Sequence, residues 1–554
     1  MRQGSVVTIT RRQIRNCAMP GHRFWKGLLL SAGYGVAFSS PVVAQGMTCL
    51  PIQRVEVRDA DSLPAAAVDR AVAPFANRCL GLADFNAALK AVTDLYIEAG
   101  LITSRVYLPE QDLRDGVLEL AAIEGRIEAV EFNGKQDRLW ERFTFPGIRG
   151  HVGDLREIEQ GLDNIRSMPS FQGAEMTLDA GAETGTSVLQ VAAEPDPKPW
   201  RLSVSTDNYG FEGEGEFNPT LSLGWDNLIG INDSWEFSYT SAVDQTPFFD
   251  QGEPGQSSQQ AAIGVTVPYG KWAYTLRQSW SAYETELPGQ VEPIPADGDS
   301  FTTMLRASRL LHRDETSKTH LAFDLSREEK QNNIQGVRIE TSSRVLTAIG
   351  AELSHQRSYR GGQLSGTLRL EKGIKALGAE DADLQPEGFP DAQYLLLLMR
   401  GDYTRSWTLP ERRGRVRWIS TGKLQYSNDR LYGGQQFRLG DNATIRGSKI
   451  ALVEGSSGIF WRNEIEYHLP GRKKPNELSK WLGQPALYAG LDAGRVFAQS
   501  GLDIRGGSVI GGVIGLRTYG GRTSLDIGYA EVLSVSDGLQ EPEGHFRMAL
   551  NVSF

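Results

Sequence analysis

The chain has 554 residues, too many for one ordinary globular core, so several domains are expected. It carries 58 Lys and Arg against 68 Asp and Glu, a net charge of −10, which argues against a nucleic-acid partner, because that needs a basic face. With 61 Gly, 11 Trp and 17 Tyr, and 40% hydrophobic residues, the composition suits a barrel with one lipid-facing side and one wet side.

The N-terminus reads as a secretory signal over residues 1–44. Arg11, Arg12, Arg15, Arg23 and Lys26 form a positive region, Gly27–Phe38 an apolar one, and Val42-Val43-Ala44 a small-residue cleavage site. The apolar stretch is shorter than the roughly 20 residues that a spanning helix needs. Later apolar runs, such as Tyr394–Met399, are shorter still, so any membrane span must be made of strands. Cys17 leaves with the signal. Cys49 and Cys79 remain, an even pair that in an exported protein suggests one disulfide; the alternative is two free buried thiols.

Two tandem α+β modules follow, with boundaries at 45–122 and 123–195. In the first, Ile52–Val57 alternates as a strand and Pro64–Phe75 has helical character. Phe85, Leu89, Val92 and Tyr96 recur at helical spacing over Leu82–Ala99, and Gly100 stands where a C-cap belongs. Strands are expected at Thr103–Leu108 and Val117–Ala122, giving the order β-α-α-β-β. The second module repeats that order. Arg126–Phe132 alternates, and Asp154 can cap a helix carrying Leu155, Ile158, Leu162 and Ile165 on one face. Strands near Ala174–Leu178 and Ser187–Ala193 close it. Pro195, Pro197 and Pro199 break regular structure and make a short stiff linker, placed at 196–200.

From 201 to 554 the periodicity switches to two. Trp272, Tyr274, Leu276 and Trp280 alternate with Ala273, Thr275, Arg277 and Ser279. Trp235, Phe237 and Tyr239 alternate with Glu236, Ser238 and Thr240. Aromatic-out, polar-in strands between Gly, Asn and Asp turns mark a transmembrane barrel, with room for about 16 antiparallel strands. The chain ends on Phe546, Met548, Leu550, Val552 and Phe554, all on one face. Such a last strand can pair with the first and remove the exposed edges that lipid penalises.

Several motifs occur in a fixed order. They are Leu101–Arg105, Leu108–Leu113, Glu124-Gly125, Asp154–Leu162, Asp207–Gly210, Asp226–Asp233, Leu439–Ser448 and Leu491–Gly494. Through them the whole mature chain resembles the two-partner secretion translocators (the TpsB family). These belong to the superfamily that includes the central barrel-assembly subunit. The resemblance implies two POTRA domains in the periplasm and a barrel in the bacterial outer membrane. It also implies a first-domain cystine, matching Cys49 and Cys79. The implied partners are a large exported TpsA-type protein, recognised by its N-terminal secretion domain, outer-membrane lipid, and the barrel-assembly machinery during biogenesis.

The family's sixth extracellular loop folds into the lumen with a Val-Arg-Gly-aromatic motif. Here the matching residues are Ile445, Arg446, Gly447 and Ser448, with Ser448 in place of the usual aromatic and Asp441 where a second Gly is common. Asp492 and Gly494 match a wall motif, Asp-x-Gly. Leu487, Ala489 and Leu491 suit lipid, so Asp492 should face the lumen, where Arg446 would find a bidentate carboxylate. If cleavage follows Ala44, the four residues Gln45–Thr48 cannot form the plug helix common in the family, and the sixth loop is expected to be the main obstruction.

No Walker A, HExxH or Gly-x-Ser-x-Gly stretch occurs, and the seven His are scattered, so neither catalysis nor a cofactor or metal site is expected. The expected function is capture of an unfolded exported protein by the POTRA domains and its passage through the barrel to the cell surface. The alternatives are an assembly or insertion factor of the same superfamily, which usually carries more POTRA domains, and a passive porin, which would lack them.

Overall fold

The computed structural model describes residues 49–193, 198–210, 215–243, 257–287, 289, 292–386, 388–410, 414–470, 477–502, 504–539 and 541–554, and the backbone of a two-residue strand at Val7–Thr8. The rest of residues 1–44, where a signal is expected, residues 45–48 that bear on the expected absence of a plug, and Pro195 and Pro197 lie outside them. The chain divides into two compact units, Met1–Pro197 and Lys198–Phe554.

Among the described residues the first unit holds three small sheets, two of them backed by helices and one a two-stranded pairing. Arg54–Arg58, Val117–Ile123 and Arg105–Tyr107 form one sheet in that order, with Val117–Ile123 central. Helices Ala65–Val72 and Leu82–Ala99 cover it. Phe85, Ala88, Val92 and Tyr96 are the buried stripe of the longer helix and pack with Leu118 and Leu120. Gly100 ends that helix in the left-handed region at φ 85°, which a side chain would resist. The expected Pro64–Phe75 helix is α-helical only over Ala65–Val72, then tightens into a 3₁₀ turn where Pro74 removes a backbone donor.

The order β-α-α-β-β needs one correction. A strand at Arg78–Leu80 lies between the helices and pairs with Leu50–Ile52. Three residues are too few to show a period of two. The disulfide between Cys49 and Cys79 ties that extra pairing.

In the second module Arg126–Phe132 runs parallel to Thr186–Ala192, and Glu175–Ala180 runs antiparallel to it. Asp154 caps Leu155–Arg166 by accepting the Arg156 amide at 2.8 Å. The other helix of the expected order, which the periodicity did not locate because it spans only about two turns, is Arg138–Thr144; Asp137 caps it, and Trp140 enters the core. The modules meet tightly. The Leu155 amide donates to the Gly100 carbonyl at 2.8 Å, and the Thr103 hydroxyl donates to the Gly125 carbonyl at 2.7 Å.

In the second unit, 16 principal antiparallel strands close into a barrel among the described residues, from Trp200–Asp207 to His545–Ser553. A two-residue strand, Val337–Arg338, extends one hairpin. Closure is made by Ser203–Asp207 pairing with Ala549–Ser553. Outward positions such as Trp461, Ile465, Leu491 and Ile514 are exposed. Their inward neighbours Glu464, Asp492 and Val513 are buried. That alternation is what a sheet between lipid and a polar interior requires. No helix among the described residues is long and apolar enough to cross a membrane.

Candidate functional site

The segment between the strands Arg415–Tyr426 and Gly458–His468 is the sixth connection at the end opposite chain entry, and it folds back against the inner wall. Its arms pair as a short hairpin, Phe437–Leu439 with Val453–Gly455. Phe437, Leu439, Ile445 and Val453 pack on Phe460, Val496, Val509 and Val532 of the wall. An apolar cluster inside a polar lumen is a seat for this loop: each such side chain contributes roughly 1.5–3 kcal/mol when buried.

At the tip, Arg446 is only 2% exposed. Its Nε and Nη2 donate to Oδ2 and Oδ1 of Asp492, both at 2.7 Å, and its backbone amide donates to Oδ2 at 3.1 Å. Its Nη1 donates to Glu464. Asp492 is 0% exposed, so the guanidinium and both carboxylates are shielded together. Buried ion pairs of this kind contribute little net stability but penalise misplacement of either partner. The apolar seat therefore holds the loop, and the arginine sets its register.

The wall is shaped for that tip by missing side chains. A Cβ on Gly490 would stand 2.3 Å from Arg446 Nη2, and one on Gly494 2.7 Å from Leu439 Cδ2. A Cβ on Gly511 would stand 2.1 Å from the Arg446 carbonyl oxygen. Gly447 sits at φ 118°, with its Cβ position 2.3 Å from the Glu531 carbonyl carbon. Ser448 is buried, its hydroxyl donating to the Ile450 carbonyl at 2.9 Å and accepting the Ile450 amide at 3.1 Å. Asp441 accepts the Thr444 amide and hydroxyl at 2.6 and 2.7 Å, which closes the turn before the motif. Lys449 pairs with Glu216.

Ile445, Arg446, Gly447, Asp492 and Gly494 thus meet at one place. Cys49 and Cys79 lie in the first unit, and Phe546, Met548, Leu550, Val552 and Phe554 lie on the closing strand. Sequence reasoning missed the rest of the charge network. Glu464 also accepts from Arg517, which bonds Asp526 at 2.6 Å and Glu466 at 3.1 Å. Tyr519 donates to Glu466 at 2.5 Å, and Arg517 stacks on Tyr488 with 3.8 Å to the ring centroid. One signal was available: Arg462, Glu464, Glu466 and His468 occupy alternate positions of a single strand, so four ionisable groups share its lumen face.

A family model described as haemolysin secretion/activation protein ShlB/FhaC/HecB matches residues 185–518. A ShlB-type POTRA domain matches residues 50–125 and a further POTRA domain residues 126–179. The outer membrane transporter CdiB of Escherichia coli is 31% identical over 483 residues, covering 86% of this chain and 78% of that protein. The hemolysin transporter protein ShlB of Serratia marcescens is 26% identical over 431 residues, covering 77% and 74%. The solved structure of CdiB from Escherichia coli superimposes with a TM-score of 0.78 at 28% identity, covering 94% of this chain and 93% of that one.

Proposed function

Because this chain belongs to the haemolysin secretion/activation family, an outer-membrane barrel with periplasmic POTRA domains, we propose that it captures one exported, unfolded partner protein and threads it to the cell surface. The partner is of the TpsA type and binds through an N-terminal secretion domain. The POTRA modules provide the capture surface. Arg105–Tyr107 is a sheet edge, and Ile97, Tyr107 and Leu108 are exposed near it, which suits addition of an extended segment. The signal segment 1–44 is removed on export, the modules run over 45–122 and 123–195, and the barrel conducts ions when the loop moves.

The observation that carries the reading is the inward sixth loop, seated on apolar wall residues and registered by Arg446 on Asp492 and Glu464. A loop that rests on an apolar seat inside the barrel and is registered by one guanidinium is a gate rather than a strut. No nucleotide reaches this membrane, so folding of the partner outside supplies the driving force. The test is co-expression with a candidate large exported partner of the TpsA type. That protein should reach the surface only when both are present, and Arg446→Ala should widen the purified channel in a planar bilayer. Partner export at full rate without this chain would refute the proposal.

A further inference from the structure

We infer that Arg462 is the relief partner of Asp492: it takes over that carboxylate when the sixth loop withdraws, so the wall strands no charge in either state. This deepens the gating reading and rests on it.

Arg462 and Asp492 stand directly opposite each other in the register of the strands Gly458–His468 and Gln484–Val496. Opposed residues keep their Cβ atoms about 5 Å apart on one face, a spacing fixed by the ladder. Opposite charges so placed ordinarily pair with each other. Here the pair is held at a long ion contact, with Arg462 Nε 3.7 Å from Asp492 Oδ1, beyond hydrogen-bond distance. Arg462 Nη1 donates instead to the carbonyl oxygens of Asn442 and Ala443, each at 2.9 Å. Both Asp492 oxygens are meanwhile occupied by Arg446.

Both diversions come from the sixth loop. When it leaves, Arg462 loses its two carbonyl acceptors and Asp492 loses its guanidinium at the same moment. The ladder has already placed the two residues for a cross-strand pair. Glu464 needs no such exchange, because Arg517 holds it from the wall whether or not Arg446 is present. Without Arg462 the departing loop would leave a buried carboxylate with no cation, which would strongly oppose opening. With it, the latch is reversible: the loop exchanges partners rather than breaking them.

The test is the open probability of the mature full-length chain in a planar phosphatidylcholine bilayer in KCl, with folding of each variant checked by heat-shifted gel mobility. Arg446→Ala should raise it. Arg462→Gln keeps a donor for the loop carbonyls but removes the charge, so open probability should fall by roughly tenfold or more, the loss of one charge-assisted pair. Arg462→Lys should behave as the unmodified chain. In an Asp492→Asn background, Arg462→Gln should have no further effect. An Arg462→Gln channel that opens as often as the unmodified one, or more often, overturns the inference. So does an equal closing effect in the Asp492→Asn background. If Arg446→Ala itself leaves opening unchanged, the gating reading fails, and the exchange fails with it.

Discussion

At the scale of the residue, the absence of side chains matters as much as their presence. Gly490 admits the Arg446 guanidinium, and Gly494 admits Leu439 and Ile445. Gly490→Val should expel the loop tip, because the added Cβ would stand 2.3 Å from Arg446 Nη2, a closer clash than the 3.0 Å it would make with Val513 of the wall. The expected outcome is a folded barrel with higher conductance in a planar bilayer; a channel unchanged in conductance would show that the tip adapts. Gly447→Ala acts differently. Its Cβ meets the backbone of Glu531 and Val532, and φ 118° is unfavourable for any L side chain. Strain of about 1–3 kcal/mol on the loop is expected, again read as more frequent opening. Leu439→Ala should cost about 2–5 kcal/mol of seating, since the residue is wholly buried against the wall.

Among the elements, the two POTRA modules are joined by a joint with no slack. A Cβ on Gly125 would lie 2.3 Å from the Thr103 carbonyl oxygen. Thr103 lies in the first module's chain and Gly125 where the second begins, so Gly125→Ala must push the modules apart. Small-angle scattering of the full chain in detergent should report a wider spread of distances for that variant than for the unmodified protein. The disulfide is the other element-scale device. It closes a loop of sequence separation 30, for which chain-entropy arguments give about 3–4 kcal/mol of stabilisation. Replacing both Cys49 and Cys79 with Ser should speed hydrogen exchange across Leu50–Ile52 and Arg78–Leu80 and leave the barrel amides unaffected. Equal exchange in both proteins would show that the sheet does not depend on the bond.

For the molecule as a whole, lipid and lumen impose opposite demands on neighbouring residues, and the barrel meets them by alternation. Ile514 is 64% exposed on the outer face, while Val513 beside it packs inward with Tyr488 and Ala530. Ile514→Arg should cost about 2–4 kcal/mol if the position lies near the bilayer midplane, measured by denaturant titration of folding into vesicles. A polar replacement at an inward, water-lined position should cost far less. The alternation over Trp272–Trp280 and over Phe546–Phe554 was legible from the sequence because a strand's side-chain period is a local property, and a long run of such strands in a lipid setting must close. The α+β character of residues 49–195 was legible for the same reason, through the helical stripe Phe85, Val92 and Tyr96 and the cap at Asp154. The strand at Arg78–Leu80 and the helix Arg138–Thr144 were not, being too short to display a period. Nor could local pattern place Arg446 beside Glu464 as well as Asp492, set Gly490 and Gly511 under the loop, or turn Arg462 toward the carbonyls of Asn442 and Ala443. The sequence by itself determined which residues face which way, because that follows from backbone geometry one residue at a time. Only the tertiary structure decided which of the lumen's many charges are partners, because that depends on where a long loop comes to rest against a wall built from distant strands.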